Sequence, residues 1–235
     1  MREMCRFFNV EHSHQLGWAH HVNTPEGVAS CVADSATMVV AGDVVMHPQT
    51  GMAMMASPMS LNGIVQPSRY PFAQWLKTLN THLKGAKIDV YSADALHAVL
   101  ATITEEQPEI PLILHADVFN LLGDNSAGFE PEMFIHLAQR HWPAATLSLG
   151  WSLKREQDPD GKLEAMIIDQ MTDLLHTKLG GLAYTIELRA GYTTNWERGA
   201  AFLLEPLEGI ARPVFAENVV DGIATFRPHL FVANE

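Results

Sequence analysis

Pro111-Leu-Ile-Leu-His115-Ala-Asp117-Val-Phe119 decides how this chain reads. It is an apolar run that ends in two polar side chains spaced two apart. Side chains alternate faces along a strand, so His115 and Asp117 point the same way. The spacing recurs as Lys87 and Asp89 in Lys84-Gly-Ala-Lys87-Ile-Asp89-Val90, and as Glu187 and Arg189 in Thr185-Ile-Glu187-Leu-Arg189. Asp43 closes Met38-Val-Val-Ala-Gly-Asp43, and His20 sits in Gly17-Trp-Ala-His20-His21-Val22. A buried charge is costly unless paired or bound to a metal, so several such strand ends meeting in one place would make a site. Parallel strands that carry chemistry at their carboxyl ends are the mark of barrel enzymes.

Working outward, β-rich apolar runs alternate with amphipathic ones. Strands are expected near 16–22, 37–45, 85–91, 111–118, 144–150, 182–189, 211–216 and 222–227. Helices are expected near 24–34, 70–83, 93–105, 130–141, 161–178 and 195–204. Leu163, Met166, Ile167, Met171, Leu174 and Leu175 repeat at three and four, and Gly180-Gly181 stops that helix. Thr24 before Pro25 starts another. Such alternation implies a parallel sheet, and runs such as Met38–Ala41 and Leu112–Leu114 are apolar on both faces, as buried parallel strands are. The expectation is one α/β domain over 1–235, a (β/α)₈ TIM-type barrel. It is irregular at the end, where little room remains between the last two strands for a helix. The stretch 46–69, rich in Met, Pro, Ser and Gly, reads as a hairpin or a lid.

The 235 residues suit one such barrel, and 47% hydrophobic content is ample for its core. The net charge of −12, with no basic run longer than two residues, argues against a nucleic-acid partner and against docking on anionic membrane. Two cysteines, Cys5 and Cys31, form no framework and fit a reducing compartment. No apolar leader and no run of about 18 uncharged apolar residues stands in the sequence, so a cytoplasmic chain with no membrane span is expected. No phosphate loop, dinucleotide fingerprint, nucleophile elbow or His-Glu-x-x-His is present.

Asp43, Asp89 and Asp117 each close a strand on the inward parity. Oxygen-rich sets of this kind suit Mg²⁺ or Ca²⁺, against the plainer reading that each caps a helix or bonds a loop. His20 and His115 are candidates for proton transfer. His21 has the opposite parity, and the place of His47, just past Asp43, is open. Lys87 and Arg189 either grip an anionic group of the substrate or form internal pairs, Lys87 with Asp89 or Asp117 and Arg189 with Glu187.

The motifs together resemble those of the menorin family. Trp18-Ala-His-His-Val-Asn23 is similar to that family's Trp-x-His-Ala-x-Asn, and Met38-Val-Val-Ala-Gly-Asp-Val44 resembles its Met-Ile-Glu-Ala-Asp-Val. Lys84-Gly-Ala-Lys-Ile-Asp89 and Pro111-Leu-Ile-Leu-His-Ala-Asp-Val118 resemble Lys-Gly-Ile-Lys-Leu-Asp and Pro-Val-Trp-Leu-Asn-Ala-Asp-Ile. Ala145-Thr-Leu-Ser-Leu-Gly-Trp151 matches almost letter for letter, and Tyr184-Thr-Ile-Glu-Leu-Arg-Ala190 resembles Val-Thr-Phe-Pro-Val-Arg-Ala. The resemblance implies a barrel related to glycerophosphodiester phosphodiesterases and phosphatidylinositol phospholipases C. It implies a metal-dependent phosphoric diester hydrolase acting on a small anionic phosphodiester. In that reading Asp43, Asp89 and Asp117 hold a divalent ion, Mg²⁺ or Ca²⁺, His20 moves protons, and Lys87 and Arg189 hold the phosphate. Glu187 and His115, which the family lacks, join them from their own inward parity, as a further ligand and a second imidazole.

The departures from the pattern are specific. The family's second-strand Glu is Ala41 here, its Ala-His-Pro-Pro is Ala56-Ser57-Pro58-Met59, and the lysine after its third strand is Tyr91. His115 stands where the family has Asn, and Glu187 where it has Pro. Two alternatives follow: the acid and imidazole have moved to new strands, His47 being a further replacement, or the barrel no longer catalyses and binds a small ligand or a protein partner.

Overall fold

A computed structural model describes residues 2–57, 66–119, 130–151, 184–189, 212–216 and 229–233. The chain opens with helix α1 (Arg2–Phe8) and a 3₁₀ turn (Ser13–Gln15), then strand β1 (Trp18–Ala19) and helix α2 (Pro25–Ala33). β2 (Val39–Met46), β3 (Ala53–Ala56) and β4 (Pro67–Pro71) follow, then α3 (Phe72–Thr81), β5 (Gly85–Val90) and α4 (Ala93–Glu106). After them come β6 (Leu112–Phe119), α5 (Pro131–His141), β7 (Thr146–Trp151), β8 (Tyr184–Arg189), β9 (Arg212–Ala216) and β10 (His229–Ala233). The strands form one sheet in the order β4-β3-β2-β5-β6-β7-β8-β10-β9, with β1 beside β2. β1, β2, β5, β6, β7 and β8 run parallel in succession, while β3, β4 and β10 pair antiparallel to their neighbours.

The alternation expected from the sequence is present from β1 to β7, and helices stand at the four positions predicted between 24 and 141. Thr24 caps α2 by accepting from the Gly27 amide at 3.1 Å, with Pro25 in the first turn, and Ser92 caps α4 on the Ala95 amide. Of the two readings of the stretch after β2, the hairpin is the one present, β3 and β4 extending the sheet edge. α1 was not anticipated. The expected strand at 222–227 and helices at 161–178 and 195–204 lie outside the described residues. β10, antiparallel to both β8 and β9, departs from a strict eight-fold repeat.

Alternate residues of each central strand serve two cores. Val40, Val44, Ile88, Leu114, Leu147 and Leu149 meet Trp75, Leu79, Leu96, Leu100 and Phe134 of the covering helices, all buried. On the other face, Val39 and Ile113 pack with Met4 and Leu16, and Phe8 and Trp18 lie against them. α1 therefore covers the amino-terminal end of the inner face. Gly85 makes this possible: a Cβ there would lie 2.4 Å from Met4 Sδ.

Candidate active site

The carboxyl ends of the same strands bring the polar residues together on that inner face. Asp43 pairs in register with Asp89, Asp89 with His115, His115 with Ser148, and Ser148 with Thr185. Residues paired across a ladder share a face at roughly 4.8 Å per step, so one polar row, Asp43, Asp89, His115 and Ser148, crosses four strands. One layer below it stand Ala41, Lys87, Ile113 and Thr146 in register, and one layer above, Asp117 with Gly150. Asp43, Lys87, Asp89, His115 and Ser148 are all buried.

Three groups of contacts occupy this row. Lys87 Nζ donates to Asp89 Oδ1 at 2.5 Å, so the internal pair foreseen for Lys87 forms with Asp89. Ala41 lies directly beside Lys87 and offers no acid, which leaves the next carboxylate along the same strand as the partner. His115 bridges two strands: its Nδ1 lies 3.0 Å from Ser148 Oγ and its Nε2 lies 3.5 Å from Asp117 Oδ1. A Cβ on Gly150 would come within 2.7 Å of His115 Cε1 and 2.6 Å of Asp117 Oδ1, so glycine leaves the imidazole its space.

Asp43 forms the third group. Its Oδ1 accepts from the Tyr91 hydroxyl at 2.7 Å, and its Oδ2 accepts from Asn23 Nδ2 at 2.8 Å and from His21 Nδ1 at 2.9 Å. Asn23 returns the contact, its Oδ1 accepting from the Asp43 amide at 2.8 Å. Burial alone would raise the Asp43 pKa; the hydrogen bond and charge of His21, with the bonds from Asn23 and Tyr91, outweigh it and hold the carboxyl well below the usual carboxylate range.

The His20 ring is stacked on Trp18 at 5.7 Å. For His21 the parity argument fails. β1 ends at Ala19, and His21 has φ of +54°, so strand alternation no longer applies and the ring swings onto Asp43. His47 is not in the row. Its Nδ1 accepts from the Gln49 and Thr50 amides, both at 3.3 Å, within the β2–β3 turn. Glu187 and Arg189 lie on β8 opposite Phe231 and His229 of β10; their side chains fall outside the described residues.

Sequence reasoning passed over His21, Asn23, Tyr91 and Ser148. Two of them carried a readable signal. Tyr91 continues the parity of Lys87 and Asp89, and Ser148 lies two before Gly150 on the inward side. For a divalent ion the described residues offer a poor fit. No three His, Cys, Asp or Glu among them cluster as ligands. Both Asp43 oxygens already accept from neighbours, and Asp89 holds Lys87.

The order of these motifs around one sheet has a counterpart among known proteins. Residues 13–215 match the Menorin N-terminal domain, and the chain belongs to that family. The resemblance read from the six motifs is family membership. A solved structure from Silicibacter pomeroyi DSS-3, provisionally named a glycerophosphoryl diester phosphodiesterase, is similar over 83% of this chain and 88% of its own, at 13% identity and a TM-score of 0.45. No helix among the described residues is long and apolar enough to cross a membrane.

Proposed function

We propose that this chain cleaves a small phosphodiester of the glycerophosphodiester kind, at the carboxyl mouth of a sheet rolled into a (β/α)₈ barrel. The observation that carries the reading is the register row of Asp43, Asp89, His115 and Ser148, an acid–imidazole–hydroxyl series on one face beside Lys87. Acid–base chemistry requires groups of opposite role held within reach of one reacting centre, and adjacent parallel strands supply that spacing. The menorin resemblance implies the same proton-transfer role for His20 and the same phosphate-holding roles for Lys87 and Arg189. In this reading His20 takes the proton of the attacking water, and His115, held between Ser148 and Asp117, orders the floor of the mouth. Lys87 and Arg189 supply positive charge near the phosphate, with Lys87 sharing its charge with Asp89. No step runs through a divalent ion, because Asp43 and Asp89 already hold their own partners.

Hydrolysis of bis(p-nitrophenyl) phosphate, followed alongside melting temperature with and without Mg²⁺, Ca²⁺ or Mn²⁺, tests the proposal. Turnover that His20→Ala abolishes supports it. Absence of turnover under every ion overturns it and favours a second reading, a barrel that binds a small ligand without reacting. That second reading has its own support: Ala41 brings no acid beside Lys87, and the acids Asp43 and Asp89 stand in closed contacts.

A further inference from the structure

We infer that His21, oriented by Asp43, is the general acid that protonates the departing alcohol; the inference rests on the phosphodiester reading above. The geometry is specific. His21 Nδ1 is bound to Asp43 Oδ2 at 2.9 Å, and the ring is 70% exposed while the carboxylate is 6% exposed. Tying Nδ1 to a buried carboxylate sets the orientation of the ring. The same division of roles orients the imidazole of hydrolase triads.

Asp43 is itself fixed by Asn23 and Tyr91, so it cannot follow His21 if the ring turns away. The backbone supports the same picture. His21 occupies the left-handed region at φ +54°, which residues other than glycine adopt rarely and which persists where surroundings impose it. Those surroundings are visible: the Val22 amide donates to Ala41 O at 2.9 Å, and the indole of Trp75 donates to Val22 O at 2.8 Å. The chain is anchored on both strand and helix just after the imidazole.

The step balances without a redox partner. A water oxygen attacks phosphorus and passes one proton to His20 as the new P–O bond forms. The P–O bond to the departing alcohol breaks with its electron pair on oxygen. That oxygen takes the Nε2 proton of doubly protonated His21, whose positive charge the Asp43 carboxylate stabilises. The products are an alcohol and a phosphomonoester, and solvent resets both rings. Asp43 acts through His21 and is a positioning residue.

Leaving groups separate this role from a structural one. p-Nitrophenolate departs without a proton, whereas the alcohol of glycerophosphocholine needs one. His21→Asn keeps an N–H toward Asp43 but has no acidic proton to give. It is expected to lower kcat on glycerophosphocholine by about 100-fold or more, the usual range for a general acid, with less than about a tenfold loss on bis(p-nitrophenyl) phosphate. His21→Ala should show the same split and recover turnover of glycerophosphocholine with added imidazole. Asp43→Asn should lose more on the alkyl substrate than on the aryl one. Equal losses on both substrates, or none, in a folded His21→Asn protein overturn the role of His21 while leaving the phosphodiester reading standing. A wild-type protein inactive on both substrates overturns the two together.

Discussion

At the amino-terminal end of the inner sheet face, Val39, Gly85 and Ile113 meet Met4, Leu16 and Trp18. Four residues further along β2 and β5, and two along β6, the same face carries Asp43, Asp89 and His115. One end is apolar and covered by a helix. The other is a row of acids and imidazoles, each held by a neighbour. The strands are shared, so the difference arises from what each end has been given to face. The covered end contributes burial, which is non-directional and tolerates exchange of similar volumes. The polar end contributes oriented contacts, which fail when one partner goes. Substitutions at the two ends should therefore separate stability from chemistry.

The largest effect is expected at the covered end. Met4 is 2% exposed, and Met4→Ala should cost about 2–5 kcal/mol of stability through lost burial and the cavity left behind. Denaturant unfolding would read that loss, and turnover per folded molecule should stay as it was. A fall in turnover without a fall in stability would mean that the two ends are not separable.

An intermediate effect is expected at Gly150. A methyl group there meets Asp117 and His115, so Gly150→Ala should cost about 1–3 kcal/mol by overpacking and loosen His115 from Asp117 and Ser148. A changed His115 ring resonance in NMR spectra, along with the lower stability, would confirm it.

The smallest effect lies in the acid limb of stability. Asp43 has its folded pKa depressed, so the stability it contributes is full above the ordinary carboxylate value near 4 and is lost as pH falls below it toward the folded value. Melting temperature should therefore drop more steeply between about pH 5 and pH 2 in the wild-type protein than in Asp43→Asn. Parallel curves would show that the contacts of Asp43 do not favour its charged form.

Much of this contrast was legible in the sequence. A period of two with a polar end placed Asp43, Lys87, Asp89, His115 and Asp117 on one face, because parity survives wherever a strand is long and regular. The same rule misjudged His21, because β1 stops at Ala19 and the next residues follow side-chain contacts with β2 instead of a ladder. α1 was missed because Arg2–Phe8 is one short amphipathic stretch whose reason to fold lies in a distant glycine, Gly85. The partner of Lys87 was left open because two neighbouring strands each carry an acid on its face, Asp89 on β5 and Asp117 on β6, and only packing selects Asp89.

One edge of β2 has three occupants in turn. β1 holds Val39 and Val40, the loop holds Ala41 and Asp43 through Val22 and Asn23, and β3 takes Val44 to Met46. Continued by one more pair, the β3 ladder would set Ala56 opposite Asp43 and displace Asn23 from its amide. The length of a surface hairpin thus sets whether the loop of His21 and Asn23 keeps its hold on Asp43.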